Sequence, residues 1–147
     1  MDRTRIVVGA NGSGGSIAAV RWAAAEARLR DTDLRIVVAY QRPEGQQENA
    51  GIVHAAVAAA RAVAPAIEVR GVAMPGYAVP VLLHAAEEAA LLVVGDQGRG
   101  GMFGAPADSV GKQVATQARC SVVVVRGDPT ATAARSWSAS TTMPPTR

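Results

Sequence analysis

The chain has 147 residues, enough for one domain with a real core; 49% are hydrophobic and only 3% aromatic, so that core must be aliphatic with alanine at helix contacts. The net charge of +3 comes from fourteen arginines and one lysine spread along the chain, without the clustered charge and interleaved aromatics of a nucleic-acid surface, which argues against that partner. One cysteine, Cys120, rules out an internal disulfide and fits a reducing cytoplasm, while the five apolar or small residues before Asn11 are too few for a signal peptide and no run is long enough to span a membrane.

Residues 5–9 read as a short buried strand, because the apolar residues run consecutively instead of alternating. A glycine-rich loop over 10–16 leads into a helix with Ser13 or Ser16 as its N-cap, with Ile17, Val20, Ala24 and Ala27 at helical spacing and Trp22 packed against a neighbour. Residues 31–33 turn the chain into a second strand over 34–40. A polar loop with Pro43 and Gly45 follows, then a helix from Asn49 to about residue 64 with Val53, Val57, Ala60 and Val63 inward, stopped by Pro65. Residues 67–72 alternate and suit an edge strand. Met74, Pro75 and Gly76 introduce a helix over 78–89, where Pro80 is tolerable because it falls in the first turn.

The fourth strand, 91–94, breaks at Gly95 into a loop holding Gly98, Gly100, Gly101 and Gly104. A last helix over 107–118 turns Val110, Val114 and Ala118 to one face, and residues 122–125 close the sheet. From Gly127 on there is no apolar period, only Ala, Ser, Thr and Pro, so a domain of residues 1–126 and a disordered tail of 127–147 are expected.

Strand and helix alternate four times before the final strand. The fold class is therefore α/β, a single doubly wound parallel sheet with helices on both faces, Rossmann-like, joined by right-handed crossovers. Ligands of such sheets sit beyond the C-terminal strand ends, where the strand order reverses. The two glycine loops, after strands one and four, would lie side by side there. Their bare N–H groups, with helix N-termini behind them, suit phosphate. The P-loop pattern fails, since Pro106 stands at its first glycine and Gln113 at its hydroxyl residue, and the dinucleotide pattern fails at Phe103 and at Ile17.

No catalytic constellation appears, and the chain is not read as an enzyme. His54 and His84 lie in different helices without metal-ligand spacing, Ser13 has no evident base, and Glu87 and Glu88 are ordinary solvated charge. One enzymatic alternative is the phosphate loop of ATP pyrophosphatases, which residues 13–16 partly resemble, although Ile17 and Ala18 replace its Asp-Ser.

Val93-Val94-Gly95-Asp96-Gln97-Gly98-Arg99-Gly100-Gly101, the closing Cys120-Ser121-Val122-Val123-Val124-Val125-Arg126 and the opening Ile6-Val7-Val8-Gly9 with its Gly-Ser loop resemble the universal stress proteins of the UspA family, across about residues 3–126. The resemblance implies a five-stranded sheet of order 3-2-1-4-5 and a cytoplasmic stress-response homodimer paired through the last strand. It also implies an adenine nucleotide, ATP, held without rapid turnover at Ala10, Asn11, Tyr40, Gly95, Gly98, Arg99, Gly100, Asp108, Ser109 and Val110. Gly95, Gly98 and Ser109 match the ATP motif of the family, but its third glycine is Asp108. A carboxylate there either caps the helix and closes the phosphate site, or holds it through Mg²⁺. Asn11 replaces the usual aspartate and keeps an acceptor while adding a donor. Tyr40 aligns with the adenine position, where a ring can stack on the base or fill its place. The competing expectation is a nucleotide-free interaction protein of the same fold, disabled by Asp108 and binding protein partners through the dimer.

Overall fold

Four consecutive buried residues make β1 (Ile6–Gly9) a strand that has to be covered on both faces, and the rest of the fold supplies that cover. The computed structural model describes residues 5–42, 46–96, 107–126 and 138–142. After β1 come α1 (Gly14–Arg30), β2 (Leu34–Tyr40), α2 (Gln46–Val63), β3 (Val69–Pro75), α3 (Ala78–Ala85), β4 (Leu91–Asp96), α4 (Ala107–Gln117), β5 (Ser121–Arg126) and β6 (Ser138–Thr142). The first five strands are parallel and stand in the order 3-2-1-4-5, as the alternation and the resemblance imply.

Successive strand residues point to opposite faces, and this period sorts the core into two layers. Ile6, Val8, Ile36, Val38 and Val93 pack under α1 and α2. Val7, Val37, Leu92, Val94 and Val122 pack under α3 and α4 with Leu82, Val110 and Val114. Alanine does most of the contact work on α1, where Ala19, Ala23, Ala24 and Ala27 are fully buried and let the helix lie close to the sheet. Trp22 packs against the edge of this layer, as anticipated.

The ends of α1 follow local chemistry. Ser13 is the N-cap and accepts the Ser16 N–H at 3.2 Å. Arg28 and Arg30 occupy the last turn, where positive charge suits the helix dipole. Asp31 then takes a left-handed conformation (φ 55°) and donates its N–H back to the Ala27 and Arg28 carbonyls.

Some boundaries differ from expectation. Helix α2 starts at Gln46 instead of Asn49, α3 ends at Ala85 instead of residue 89, and β3 runs from Val69 to Pro75 instead of 67–72. The β3 shift has a visible reason: all seven of its residues pair in register with β2, from Leu34↔Val69 to Tyr40↔Pro75. Its half-exposed pattern is that of the expected edge strand.

The expectation of disorder over the whole of 127–147 does not hold for Ser138–Thr142. These five residues form β6, which pairs antiparallel with β5 from Val122↔Thr142 to Arg126↔Ser138. A Ser-Ala-Ser-Thr-Thr segment has no hydrophobic pattern to announce it; the pairing is made by the backbone. The rest of that tail lies outside the described residues.

Gly71 shows how tightly α2 is set on β3. A Cβ there would lie 2.6 Å from Val53 Cγ1 and 2.9 Å from Val57 Cγ2, so the absence of a side chain is what allows this approach. Gly71→Ala is therefore expected to lower stability by about 1–3 kcal/mol in urea unfolding, the cost of overpacking a closed contact. An unchanged midpoint would mean that α2 does not rest on β3 at this point.

Candidate functional site

The strand order places the carboxyl ends of β1, β2 and β3 along one rim of the sheet, with β4 beginning the reversal on the other side of β1. A cavity of about 650 Å³ opens on this rim. Its walls come from the end of β1 (Asn11), the end of β2 and the loop after it (Val38, Ala39, Tyr40, Gln41, Arg42), the first turn of α2 (Glu48, Asn49) and the β3–α3 turn (Gly76, Ala78). The size suits one small ligand.

The wall is built from backbone first. The Ala10 N–H donates to the Val37 carbonyl at 3.0 Å, which extends the β1–β2 pairing past the end of β1. On the other side the Gly76 N–H donates to the Tyr40 carbonyl at 2.8 Å and ties the β3–α3 turn to β2. Tyr40 therefore sits between two neighbouring chain ends held at fixed separation.

The loop after β1 is locked by three short-range interactions. Asn11 Oδ1 accepts the Ser13 N–H at 3.0 Å. Ser16 Oγ accepts the Asn11 N–H at 3.2 Å and donates to the Ser13 carbonyl at 3.0 Å. Ser16 is fully buried, and no buried side-chain polar atom among the described residues lacks a partner. Between them Gly12 adopts φ +87°, and a Cβ there would lie 3.2 Å from Ile52 Cγ1 of α2. With Oδ1 already accepting one hydrogen bond in the loop, the Asn11 amide keeps its N–H₂ donors and one oxygen lone pair for other partners.

The site residues expected from the sequence are distributed as follows. Asn11 and Tyr40 line the cavity, with Ala10 buried directly behind Asn11. Gly95 is buried near the end of β4, paired with Val125, and the β1–β4 pairing up to Val8↔Val93 holds the ends of these two strands side by side. Asp108 and Ser109 fall in the first turn of α4. Gly98, Arg99 and Gly100 lie outside the described residues. Val110 is only 4% exposed, its side chain in the core under α4 with Leu82 and Val114, so that side chain does not reach the cavity.

Gln41, Arg42, Glu48, Asn49, Gly76 and Ala78 were not singled out by sequence reasoning. Only Gly76 carried a signal, as the glycine of a Met-Pro-Gly turn; the others are polar or small residues of the loop after β2 and of the first turns of α2 and α3, which meet at the cavity. His54 and His84 are exposed, and among the described residues no group of three or more His, Cys, Asp or Glu side chains is placed to hold a metal ion.

An open parallel sheet with a cavity beyond its carboxyl strand ends is the architecture of the doubly wound α/β ligand-binding proteins. The sequence pattern of the universal stress protein family matches residues 2–126, and the chain belongs to that family. A curated universal stress protein of Mycobacterium tuberculosis is 28% identical over 153 aligned residues, with 84% of this chain covered. The chain spans about half the length (48%) of the curated relatives it matches. Among solved structures, a universal stress protein in complex with cAMP is 31% identical, covered over 98% of its chain by 86% of this one, with a TM-score of 0.72. The universal stress protein of Archaeoglobus fulgidus in complex with dAMP shares the fold at 24% identity and a TM-score of 0.69, covered over 98% of its chain by 84% of this one.

Ser16→Ala tests how the cavity's first wall is held. It leaves the buried end of the Asn11 N–H bond without its acceptor and is expected to cost about 1–3 kcal/mol of stability by urea unfolding. It should also speed amide exchange at Asn11, and unchanged exchange there would show that the hydroxyl does not organise the loop.

Proposed function

We propose that the chain binds an adenine nucleotide in the cavity beyond β1, β2 and β3 and holds it without rapid turnover, as a cytoplasmic stress-response protein that self-associates through β5. The observation that carries this reading is the convergence of Asn11, Tyr40 and the polar wall of Arg42, Glu48 and Asn49 on one 650 Å³ space at the switch in strand order. The cAMP complex of a protein 31% identical over most of this chain supports it from outside.

The chemistry divides along the cavity. Tyr40 offers a ring against which a purine can lie, while the Asn11 amide and the Arg42, Glu48 and Asn49 side chains offer donors and acceptors to a base or ribose. The phosphate end falls to the second glycine loop and the first turn of α4, whose N–H groups and dipole favour an anion.

Asp108 in that first turn sets the limit on phosphate number. Between unit charges about 4 Å apart, a like-charge pair costs roughly 1–4 kcal/mol, enough to lower affinity tenfold or more. A nucleotide with one phosphate meets this less than ATP does, unless Mg²⁺ bridges the carboxylate and the phosphates. The family's ATP motif is thereby retuned toward shorter phosphate chains.

Calorimetric titration with AMP, cAMP and ATP, each with and without Mg²⁺, tests the reading. AMP or cAMP is expected to bind more tightly than metal-free ATP, and Asp108→Gly should raise ATP affinity at least tenfold while changing AMP affinity little. Absence of heat with all three at millimolar concentration, in the wild type and in the variant, would instead support an interaction protein that has lost the nucleotide. Phosphate release from ATP at many turnovers per minute would contradict the holding role.

A further inference from the structure

The outer edge of the sheet is closed in an unusual way. The family pattern ends at residue 126, the last residue of β5, and β6 lies wholly beyond it. Without β6, the five parallel strands would end on β5, whose Val122, Val123 and Val125 side chains are buried but whose outward N–H and C=O groups would have no partner. With it, five residue pairs cover that edge.

The direction of β6 is informative. Every other pairing in the sheet is parallel, and this one is antiparallel. When two copies of a chain join identical strand edges about a two-fold axis, the two strands must also run antiparallel. β6 therefore lies on β5 in the same sense as the β5 of a second copy would, and the two cannot occupy the edge together.

Its composition makes β6 a displaceable occupant. Ser138, Ala139, Ser140, Thr141 and Thr142 bring no large apolar side chain to the core, so seating rests on ladder hydrogen bonds, whose net contribution is small. Arg126 and Ser138 share a rung with eleven residues (127–137) between them in sequence, a closure much longer than the two to five residues of an ordinary hairpin. Both features weaken the intramolecular strand against a β-branched competitor such as residues 122–125 of another molecule.

We propose that β6 is a built-in competitor for self-association: seated, it closes the β5 edge against a second copy of the chain, and released, it opens that edge to antiparallel pairing. This rests on the reading of β5 as the self-association edge. Assembly state then depends on the tail, and any event that unseats it, such as a partner that binds Ser-Thr-rich strands, shifts the chain toward the dimer.

The test uses the full chain carrying Ser140→Pro with Thr141→Pro. Strand N–H groups alternate in direction, so one of two consecutive prolines always removes a rung to β5. Sedimentation velocity across a concentration series reads the dimer dissociation constant, with circular dichroism confirming an intact α/β domain. The variant is expected to dimerise at least tenfold more tightly than the wild type, and Ser140→Val, which favours the strand, to dimerise less tightly. Equal dissociation constants in all three proteins overturn the competition while leaving the β5 dimer standing. Monomers throughout, even in the proline variant, overturn the β5 dimer and the competition with it; nucleotide binding is read separately.

Discussion

Everything else in this protein depends on β1 being buried on both faces. Ile6, Val7 and Val8 have no exposed surface, each full burial being worth about 1.5–3 kcal/mol, and a strand in that position must have neighbours on both edges and helices above and below. Its neighbours are β2 on one side and β4 on the other, which makes β1 the place where the strand order reverses. The loop that leaves β1 thus emerges where no crossover helix can cover it. A cavity at this point is a consequence of the topology, and the side chains decide what fills it.

Those side chains are held with little latitude. Asn11 commits its oxygen to the turn, Ser16 ties that turn to the first helix from a buried position, and Gly12 lets the loop approach Ile52 of the second helix. The cavity is prepared before a ligand arrives, which reduces the ordering cost of binding. The opposite end of the sheet is managed differently, by a polar strand laid on an aliphatic edge. One rim of the protein carries the polar lining of the cavity, and the far edge is covered by the five backbone pairs of β6.

Consecutive apolar runs such as 5–9 and 91–94 revealed the buried parallel strands, and the alternation of β3 revealed an edge, because burial on two faces or one writes a direct pattern into the residues. β6 left no such trace, since its pairing uses backbone groups that every residue carries. In the site, Asn11 and Tyr40 were named only through the resemblance, by their alignment with the family's aspartate and adenine positions. Arg42, Glu48 and Asn49 were not named, since a polar loop and a helix start look alike whether or not they border a cavity. Val110 was expected both in the core, by its spacing with Val114, and at the ligand, by the family motif; its side chain follows the spacing. The missed residues meet because the loop after β2 and the start of α2 border the same cavity, a placement that no local pattern announces.

The most direct test of the account is the position of the nucleotide. Titrating the isotopically labelled chain with AMP and following its amide resonances should shift Asn11, Tyr40, Gly76 and Ala78 together in one saturable transition, leaving the N-terminal strand ends near Arg35 and Arg70 unmoved. Saturable shifts confined to another surface, or none at millimolar AMP, would contradict the assignment of the cavity beyond β1 as an adenine nucleotide site.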